Sequence, residues 1–371
     1  MAKPYSVPFI DFKRDPESLI HDQLEVVEQV LRSGWWVLGD QVQAFESAWA
    51  KTCQATGCVG VGNGLDAIEI GLRALGVGPG DEVITTAVTA FATTLAIQRC
   101  GASPVFADID PTTACLCPSS VEASITPKTK AVVVVHLYGR FIDLKRLRNL
   151  CDGHSLYLVE DCAQAHLARS GDYSAGEIGD FAAWSFYPTK NLGAIGDAGA
   201  LTSNNQKILD LASQMRNYGQ RDRYHHDTAG MNSRLDELQA AILLKRLPML
   251  REWTNRRRAI AYRYWSEIKN SNMTFLAFPS TDDSHVHHLF VLTSQYRDVF
   301  QTQLLEMGIQ TLIHYPVPCH QQKALGVHRL SPSGLPFTET HCLQCLSLPI
   351  HPYLTEDEVS KVIEACNNVH V

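Results

Sequence analysis

Residues 130–161 read KAVVVVHLYGRFIDLKRLRNLCDGHSLYLVED, and this stretch indicates the fold class most clearly. Its first part, KAVVVVHLY (130–138), is almost continuously apolar, which is typical of a parallel strand covered on both faces. DLKRLRNLCDGH (143–154) predicts a helix, and SLYLVED (155–161) predicts a second strand that ends on acidic residues. A strand, a helix and a strand in this order predict two parallel strands joined by a helical crossover.

The alternation of strands and helices continues on both sides of this unit. The pattern predicts further strands at CVGVGNG (58–64), PVFADID (104–110), FAAWSFY (181–187) and GALTS (199–203). Strands that alternate with helices predict an α/β layered fold with a mostly parallel sheet. In the last third of the chain the regular alternation of strands and helices gives way to a different pattern, which begins with a basic helix. We therefore predict a large domain over residues 1–250 and a smaller α+β domain over residues 251–371.

Composition and charge exclude several classes of protein. The chain has 371 residues, of which 45% are hydrophobic and 19% charged, and this is ordinary for a globular protein. Its formal net charge is -7, whereas a nucleic-acid-binding protein usually carries an excess of basic residues. The longest apolar runs are strand-length and fall short of the ~20 residues of a membrane span. We expect neither a nucleic-acid nor a membrane partner.

The eleven cysteines are odd in number and scattered, which indicates free thiols in a reducing compartment. The N-terminal segment MAKPYSVPFIDFKRD has no apolar core and no arginine-rich pattern, so we expect no targeting signal and a cytoplasmic protein. The pairs Cys53/Cys58 and Cys342/Cys345 lack the further ligands of a zinc site. The histidines between positions 285 and 320 lack supporting carboxylates, so no metal is expected.

In a parallel sheet the ligand lies beyond the carboxyl ends of the strands, and two residues there could carry chemistry. Lys190 follows an apolar strand in WSFYPTKNLGAIGDAGAL and precedes glycines that let the backbone approach a ligand. Most single lysines are solvated, but a desolvated lysine has a lowered pKa and can form a Schiff base. Asp161 ends a strand and could cap the next helix or hold a protonated pyridine nitrogen. Together they indicate a pyridoxal phosphate site.

The segment GNGLDA (62–67) is a glycine-rich turn that leads into a helix. Backbone N–H groups at a helix N-terminus bind phosphate, although many such turns bind nothing. The segment is not a Walker loop, and it lacks the G-x-G-x-x-G pattern of dinucleotide-binding proteins. The turn is therefore a candidate for the phosphate of a small cofactor.

Several longer motifs carry a resemblance that spans nearly the whole chain. They are VGNGLDAIEIGLRALGVGPGDEVI, VEDCAQAH, GDFAAWSFYPTKNLGAIGDAGAL, NSRLDELQAAIL and IHYPVPCHQQ. They resemble the pyridoxal phosphate (PLP)-dependent sugar-nucleotide aminotransferases of the DegT/DnrJ/EryC1/StrS group. The resemblance implies the aspartate aminotransferase-like fold (fold type I), with a mostly parallel seven-stranded sheet between helices and a smaller C-terminal α+β domain.

The resemblance also implies roles for single residues. Lys190 corresponds to the lysine that carries PLP and moves the proton, and Asp161 corresponds to the partner of the pyridine nitrogen. Gln164 corresponds to the side chain near the phenolic oxygen of the cofactor. The implied phosphate ligands are Ser185 and the turn Gly64, Leu65 and Asp66.

Further implied roles concern the partner subunit and the substrate. Asn232, in NSRLDE, resembles an asparagine that reaches the phosphate from the neighbouring subunit, which implies an obligate homodimer. The candidates for lining the sugar-nucleotide pocket are Tyr187, His314, Tyr315, His320 and, after the AQAH motif, His166.

One segment departs from the family pattern. Members usually carry an aromatic residue that stacks on the cofactor ring, in a T-F-V-A-T-like segment. The corresponding segment here is AVTAFAT, which puts Ala90 at that position and Phe91 one residue later. In a strand, an offset of one residue points a side chain to the opposite face. The sequence therefore leaves open what stacks on the ring.

The resemblance finally implies a reaction. Dehydratases of this fold replace the lysine by histidine, so Lys190 favours transamination. GNGLDA, NSRLDELQAA and HYPVPCH are most similar to members that aminate C3 of a dTDP-3-oxo-6-deoxyhexose, with L-glutamate as donor, in deoxyamino-sugar biosynthesis. Three alternatives stay open: a C4-acting enzyme on a UDP- or GDP-linked sugar, a PLP-dependent sugar dehydratase, and a non-catalytic regulator that kept the fold.

Overall fold

The strand–helix–strand unit that the sequence predicts is present in the computed structural model, which describes residues 5–142, 144–279 and 281–371. Its strands span Thr129–Val135 and Tyr157–Asp161, and its helix spans Lys145–Gly153. The two strands pair in parallel, as predicted. Asp143, where the sequence predicts the start of this helix, lies outside the described residues.

The elements of the described chain are numbered here in chain order. The helices are α1 (Glu17–Ser33), α2 (Asp40–Thr52), α3 (Gly64–Ala74), α4 (Phe91–Arg99), α5 (Pro118–Ser124), α6 (Lys145–Gly153), α7 (Gln206–Met215), α8 (Glu237–Arg246), α9 (Leu250–Glu267), α10 (Arg297–Glu306), α11 (Pro336–Gln344) and α12 (Glu356–Asn367). The strands are β1 (Gly57–Val61), β2 (Glu82–Thr86), β3 (Ser103–Ala107), β4 (Thr129–Val135), β5 (Tyr157–Asp161), β6 (Arg169–Ser170), β7 (Tyr173–Ser174), β8 (Phe181–Ser185), β9 (Gly199–Ser203), β10 (Gln220–Asp222), β11 (His225–His226), β12 (Thr274–Phe275), β13 (Phe290–Thr293), β14 (Arg329–Leu330) and β15 (Cys345–Leu348).

Within the described residues, the large sheet has eight strands in the order β1–β9–β8–β5–β4–β2–β3–β14. Strand β9 is antiparallel to both of its neighbours, and the other neighbouring strands are parallel. The family resemblance implies seven strands, so that number is one too low. The eighth strand, β14, comes from the C-terminal part of the chain and has two residues, which is too short for any periodic signal.

Helices cover both faces of this sheet, and alternate residues of the strands are buried against them. On β4, Val133 packs in a cluster with residues of α3, α4 and α7. Its neighbours Val132 and Val134 pack on the opposite face with residues of α5 and α6. This burial on both sides explains why the central strand reads as a continuous apolar run.

A second core lies around the antiparallel sheet β12–β13–β15. It buries Tyr264 of α9, Phe300 of α10 and Val362 of α12. The N-terminal Val7 lies in the same core and forms a β-bridge with Ile309, while β14 joins the large sheet. Residues from before and after position 250 thus pack together in both cores. The division into domains at 1–250 and 251–371 stays a prediction.

None of the helices in the described ranges combines the length and the apolar character that a membrane span requires.

Candidate active site

The carboxyl ends of the parallel strands β4, β5 and β8 lie at one edge of the sheet, and Asp161 is the last residue of β5. Its side chain is buried. Oδ2 accepts a hydrogen bond from the hydroxyl of Thr93 at 2.8 Å, and Oδ1 accepts one from the N–H of Ala163 at 3.1 Å. Two donors from separate elements therefore orient the carboxylate.

Thr93 is a site residue that the sequence analysis missed. It lies in α4, which follows β2, and β2 is separated from β5 by β4 alone. Its hydroxyl also shares a hydrogen bond of 3.0 Å with the hydroxyl of Thr89. The available signal is positional, because the start of a helix that follows a parallel strand lies at the ligand-binding edge.

Lys190 lies in a turn after β8 and is half-buried. Its N–H donates to the carbonyl of Tyr187 at 2.8 Å, and the N–H of Ala194 donates to the carbonyl of Phe186 at 2.8 Å. Burial lowers the pKa of Lys190 to about 8, and the negative charge of Asp161 opposes that shift. The structure thus brings a partly neutral amine and an oriented carboxylate to the same sheet edge.

The first turn of α3 packs directly against the ends of β8 and β9. Asn63 caps the helix, with its Oδ1 accepting the N–H of Asp66 at 2.9 Å. A Cβ on Gly64 would lie 2.9 Å from the Cβ of Ser185, and one on Gly199 would lie 2.3 Å from the carbonyl carbon of Asn63. These glycines let the helix N-terminus approach Ser185, which forms a cradle suited to a phosphate group. The residues present therefore fit a phosphorylated cofactor.

Within this cradle the side chain of Asp66 has its own partners. One carboxylate oxygen accepts the hydroxyl of Ser233 at 2.8 Å and the amide of Asn63 at 3.0 Å. The hydroxyl of Ser233 also accepts the N–H of Gly62 at 3.0 Å. The carboxylate of Asp66 therefore holds the turn in shape, and the backbone N–H groups of Gly64 and Leu65 are the donors available to an anion.

Gln164 connects the sheet edge to the C-terminal part of the chain. Its Oε1 accepts the N–H of Tyr138 at 2.6 Å, and its Nε2 donates to the hydroxyl of Tyr315 at 3.2 Å. Next to it, His314 shares a hydrogen bond of 2.8 Å with the hydroxyl of Ser347. Burial, assisted by the positive charge of Lys190, lowers the pKa of His314 to about 4. His314 and Tyr315 thus lie beside the predicted site, and His314 is neutral there.

His166 is expected to face the sugar, but the structure encloses its ring in the core. Its ring is fully buried and packs against the rings of Trp49, Trp184 and Phe186. The N–H of Leu192 donates to its Nδ1 at 3.0 Å, and burial lowers its pKa to about 3. This neutral imidazole lies in an aromatic core and accepts a hydrogen bond from the turn that carries Lys190. It does not line an open pocket.

Two of the other candidate residues lie on open surface, and the side chain of His320 is largely buried. Tyr187 is 51% exposed, and Asn232 is also exposed. His320 hydrogen-bonds with Glu339 at 3.1 Å and packs on Phe106, and no described contact joins it to Lys190, Asp161 or Gln164. Its place in a substrate pocket stays a prediction.

The sequence analysis treats Ala90 and Phe91 as residues of a strand, and this assumption is wrong. Strand β2 ends at Thr86, so neither residue lies in a strand. Ala90 is the N-cap residue of α4 and Phe91 is its first residue, packed beside Ala87. In a helix, consecutive side chains are separated by about 100° and not by the half-turn of a strand. The offset of one residue therefore does not send Phe91 to the opposite face of a sheet.

One buried group, His136, Glu160 and Cys162, has the composition of a metal site. The carboxylate of Glu160 accepts N–H groups of Gly176 at 2.7 Å and Gly179 at 2.6 Å, and it lies 2.9 Å from Nε2 of His136. The other ring nitrogen of His136 accepts a backbone N–H as well. These bonds use the atoms that a metal would need, so the group holds the loop after β7 in place.

Comparison with known proteins agrees with this geometry. Residues 17–367 match the DegT/DnrJ/EryC1/StrS aminotransferase family. The chain is 41% identical over 361 residues to the pleiotropic regulatory protein of Geobacillus stearothermophilus, with 97% of each chain covered. It is 42% identical over 364 residues to dTDP-3-amino-3,4,6-trideoxy-alpha-D-glucose transaminase of Streptomyces venezuelae, covering 98% of this chain and 96% of that one.

A solved structure shows the same fold. The crystal structure of DesV from S. venezuelae in complex with a ketimine intermediate has a TM-score of 0.94 and 41% identity, with 98% of each chain covered. The aminotransferases of this family use PLP, so both the expected fold class and the expected cofactor are confirmed. The matched residues include the lysine turn, the strand that ends on Asp161 and the cradle at α3. The chain belongs to the DegT/DnrJ/EryC1/StrS aminotransferase family.

Proposed function

We propose that this enzyme moves an amino group from L-glutamate to C3 of a dTDP-3-oxo-6-deoxyhexose, in the biosynthesis of a deoxyamino sugar. The observation that carries the proposal is the half-buried Lys190, whose amine has a lowered pKa, next to the oriented carboxylate of Asp161. The similarity to a transaminase named for a dTDP-3-amino sugar supports the position of amination and the nucleotide.

The residues of the cradle and the sheet edge would hold the cofactor. PLP, when bound, supplies an electron sink for proton transfer at the amino carbon of the donor. Lys190 would bind the cofactor covalently, and its freed amine would carry the proton during each half-reaction. Asp161 would accept a hydrogen bond from the protonated pyridine nitrogen. The proposed contacts to the phosphate are the N–H groups of Gly64 and Leu65, in the turn that Asp66 holds in shape, and the side chain of Ser185. Gln164 is the proposed contact to the phenolic oxygen.

The substrate side of the proposal involves the remaining candidate residues and a second subunit. Tyr187, His314, Tyr315 and His320 would line the sugar-nucleotide pocket. Asn232 would reach the phosphate of the partner subunit's cofactor in a homodimer, and its exposure in the single chain supports this role. The cytoplasm is the proposed location, because the cysteines of the described chain are free thiols.

A regulatory role is the second candidate, because a relative at 41% identity carries the name of a pleiotropic regulatory protein. A protein that only binds a ligand needs no shuttle lysine, and the half-buried Lys190 beside Asp161 therefore favours catalysis. A dehydratase would be distinguished by its product, which loses an oxygen from the sugar and gains no amine.

The visible absorption spectrum of the purified protein, recorded before and after L-glutamate is added, tests the first half-reaction. We expect an absorption band of lysine-bound PLP that disappears with glutamate and returns when a dTDP-3-oxo sugar is supplied. Lys190→Ala should abolish the conversion, with a loss of at least about 100-fold. Lys207→Ala, at an exposed position, is the matched control and should keep it. A protein that shows no band after incubation with PLP would favour the regulatory role.

A further inference from the structure

A buried guanidinium lies next to the turn that carries Lys190. Arg257 of α9 is only 4% exposed. Its Nη1 donates to the carbonyl of Ile350 at 2.6 Å and, at 3.3 Å each, to those of His287 and His288. The side chain is therefore held in one position by backbone groups of the C-terminal part of the chain.

Among the residues that the structure describes, the other nitrogens of this guanidinium have no acceptor. Nε is buried without a hydrogen-bond partner, and the described hydrogen bonds of Arg257 all use Nη1. Among the described residues no carboxylate pairs with Arg257, and burial alone lowers its pKa to about 10. A buried charge with unused donors is costly unless an anion joins it, so this arrangement indicates a ligand.

Arg257 lines two neighbouring cavities at the lysine turn. One is lined by Thr189 and Lys190 together with Arg246. The other, of about 240 Å³, is lined by Thr189 and His314. Arg246 is already paired with Asp15 at 3.3 Å. Because Lys190 is beside Asp161, Arg257 is the cation that remains without a paired acid among the described residues that line these cavities.

The charge and the size of the space favour one kind of anion. His314 and His288 face the second cavity and burial lowers the pKa of both, so they add no positive charge near neutral pH. One guanidinium balances a single carboxylate, whereas a diphosphate would bring more negative charge. A cavity of about 240 Å³ also lies below the ~300 Å³ at which pockets for larger ligands begin.

We propose that Arg257 binds a carboxylate of the amino donor and so positions the donor amine for reaction beside Lys190. The inference rests on the proposed function, which requires an amino-acid donor. Arginine suits this task because its planar group offers paired N–H donors to a carboxylate. Nothing in the sequence marks this arginine, which lies in the run Arg256–Arg257–Arg258 of a basic helix.

The test is calorimetric titration of the PLP-loaded enzyme with glutarate, a dicarboxylate without an amine, and separately with dTDP. Arg257→Lys keeps the charge and a donor for Ile350 but loses the paired donors. We expect it to weaken glutarate binding by about 10- to 100-fold and to change dTDP binding by less than about threefold. Arg256→Lys is the matched control on the same helix, where the arginine pairs with Glu356 of α12, and it should change neither.

Three results would overturn the inference. They are unchanged glutarate binding in Arg257→Lys, an equal loss of glutarate and dTDP binding, and a wild-type enzyme that does not bind glutarate. The visible band of bound PLP and the thermal unfolding of Arg257→Lys establish that the variant is folded. Failure of the proposed function is a separate outcome, because L-glutamate would then leave the visible band unchanged even where glutarate binds through Arg257.

Discussion

At the scale of single residues, burial separates two groups that look alike in the sequence. Lys190 is half-buried beside Asp161 and keeps an amine whose pKa is lowered to about 8. His166 follows an equally suggestive motif, but its ring is enclosed by aromatic side chains and its pKa falls to about 3. Desolvation acts on both, and only the first retains access to a ligand at the sheet edge.

The lowered pKa of Lys190 predicts the pH dependence of cofactor capture. The neutral amine is the nucleophile, so the rate at which cofactor-free protein binds PLP should rise with pH, with a midpoint near 8, and level off above it. Growth of the visible absorption band after rapid mixing measures this rate. Lys207→Met should leave the profile unchanged, and a midpoint above pH 10 would mean that Lys190 is solvated.

Some residues of the site can be selected from the sequence and others cannot. Lys190 and Asp161 can be selected because each follows an apolar strand, and the parallel topology then places both at one edge. Thr93 contacts Asp161 from a helix, and it lies 68 residues before Asp161 in the chain. Arg257 faces the site from α9, in the C-terminal part of the chain. A threonine and an arginine within ordinary helices leave no local pattern, so the tertiary contacts alone identify them.

At the scale of elements, the site depends on close approach between α3 and the strands β8 and β9. The glycines at 64 and 199 allow this approach, because a Cβ at either would meet atoms of the facing element. The motif GNGLDA therefore predicts the turn correctly, whereas the packing partners of the turn lie more than a hundred residues away along the chain.

We expect Gly199→Ala to destabilise this contact, because its Cβ would meet the backbone of Asn63 at 2.3 Å. The free energy of unfolding should fall by about 1–3 kcal/mol, and PLP should be released more readily. Urea denaturation and dialysis against PLP-free buffer measure the two effects. Gly153→Ala is the control, since a Cβ there meets nothing within 4 Å. Equal behaviour of the two variants would contradict the proposed close packing.

At the scale of the whole molecule, the single chain leaves apolar side chains exposed. Trp35 and Trp36 are 64% and 59% exposed, and Leu24 and Leu31 of α1 are 63% and 57% exposed. Large exposed apolar side chains of this kind are typical of a surface that a partner covers. They support the proposed homodimer, in which Asn232 serves the site of the other subunit.

A shared site predicts complementation between two inactive variants. Lys190→Ala lacks the lysine, and Asn232→Asp places a negative charge near the proposed phosphate, so each homodimer should lose most activity. Coexpressed in one cell, they should form mixed dimers with one intact site, which restores about a quarter of wild-type activity. Transaminase assays of the purified mixture measure this. Coexpressed chains that stay as inactive as the separate variants would show that Asn232 acts within its own subunit.

The amino-acid sequence alone predicts the α/β class, the parallel pairing of β4 and β5, the family, and Lys190 and Asp161 as candidate site residues. Local patterns record these features, because strand burial and a reactive lysine each require particular neighbours along the chain. Only the tertiary contacts establish the eighth strand, the burial of His166, the bond from Thr93 to Asp161 and, among the described residues, the lack of a carboxylate partner for Arg257. Each of these depends on residues that are distant in the chain, and their contacts impose no periodicity on the sequence.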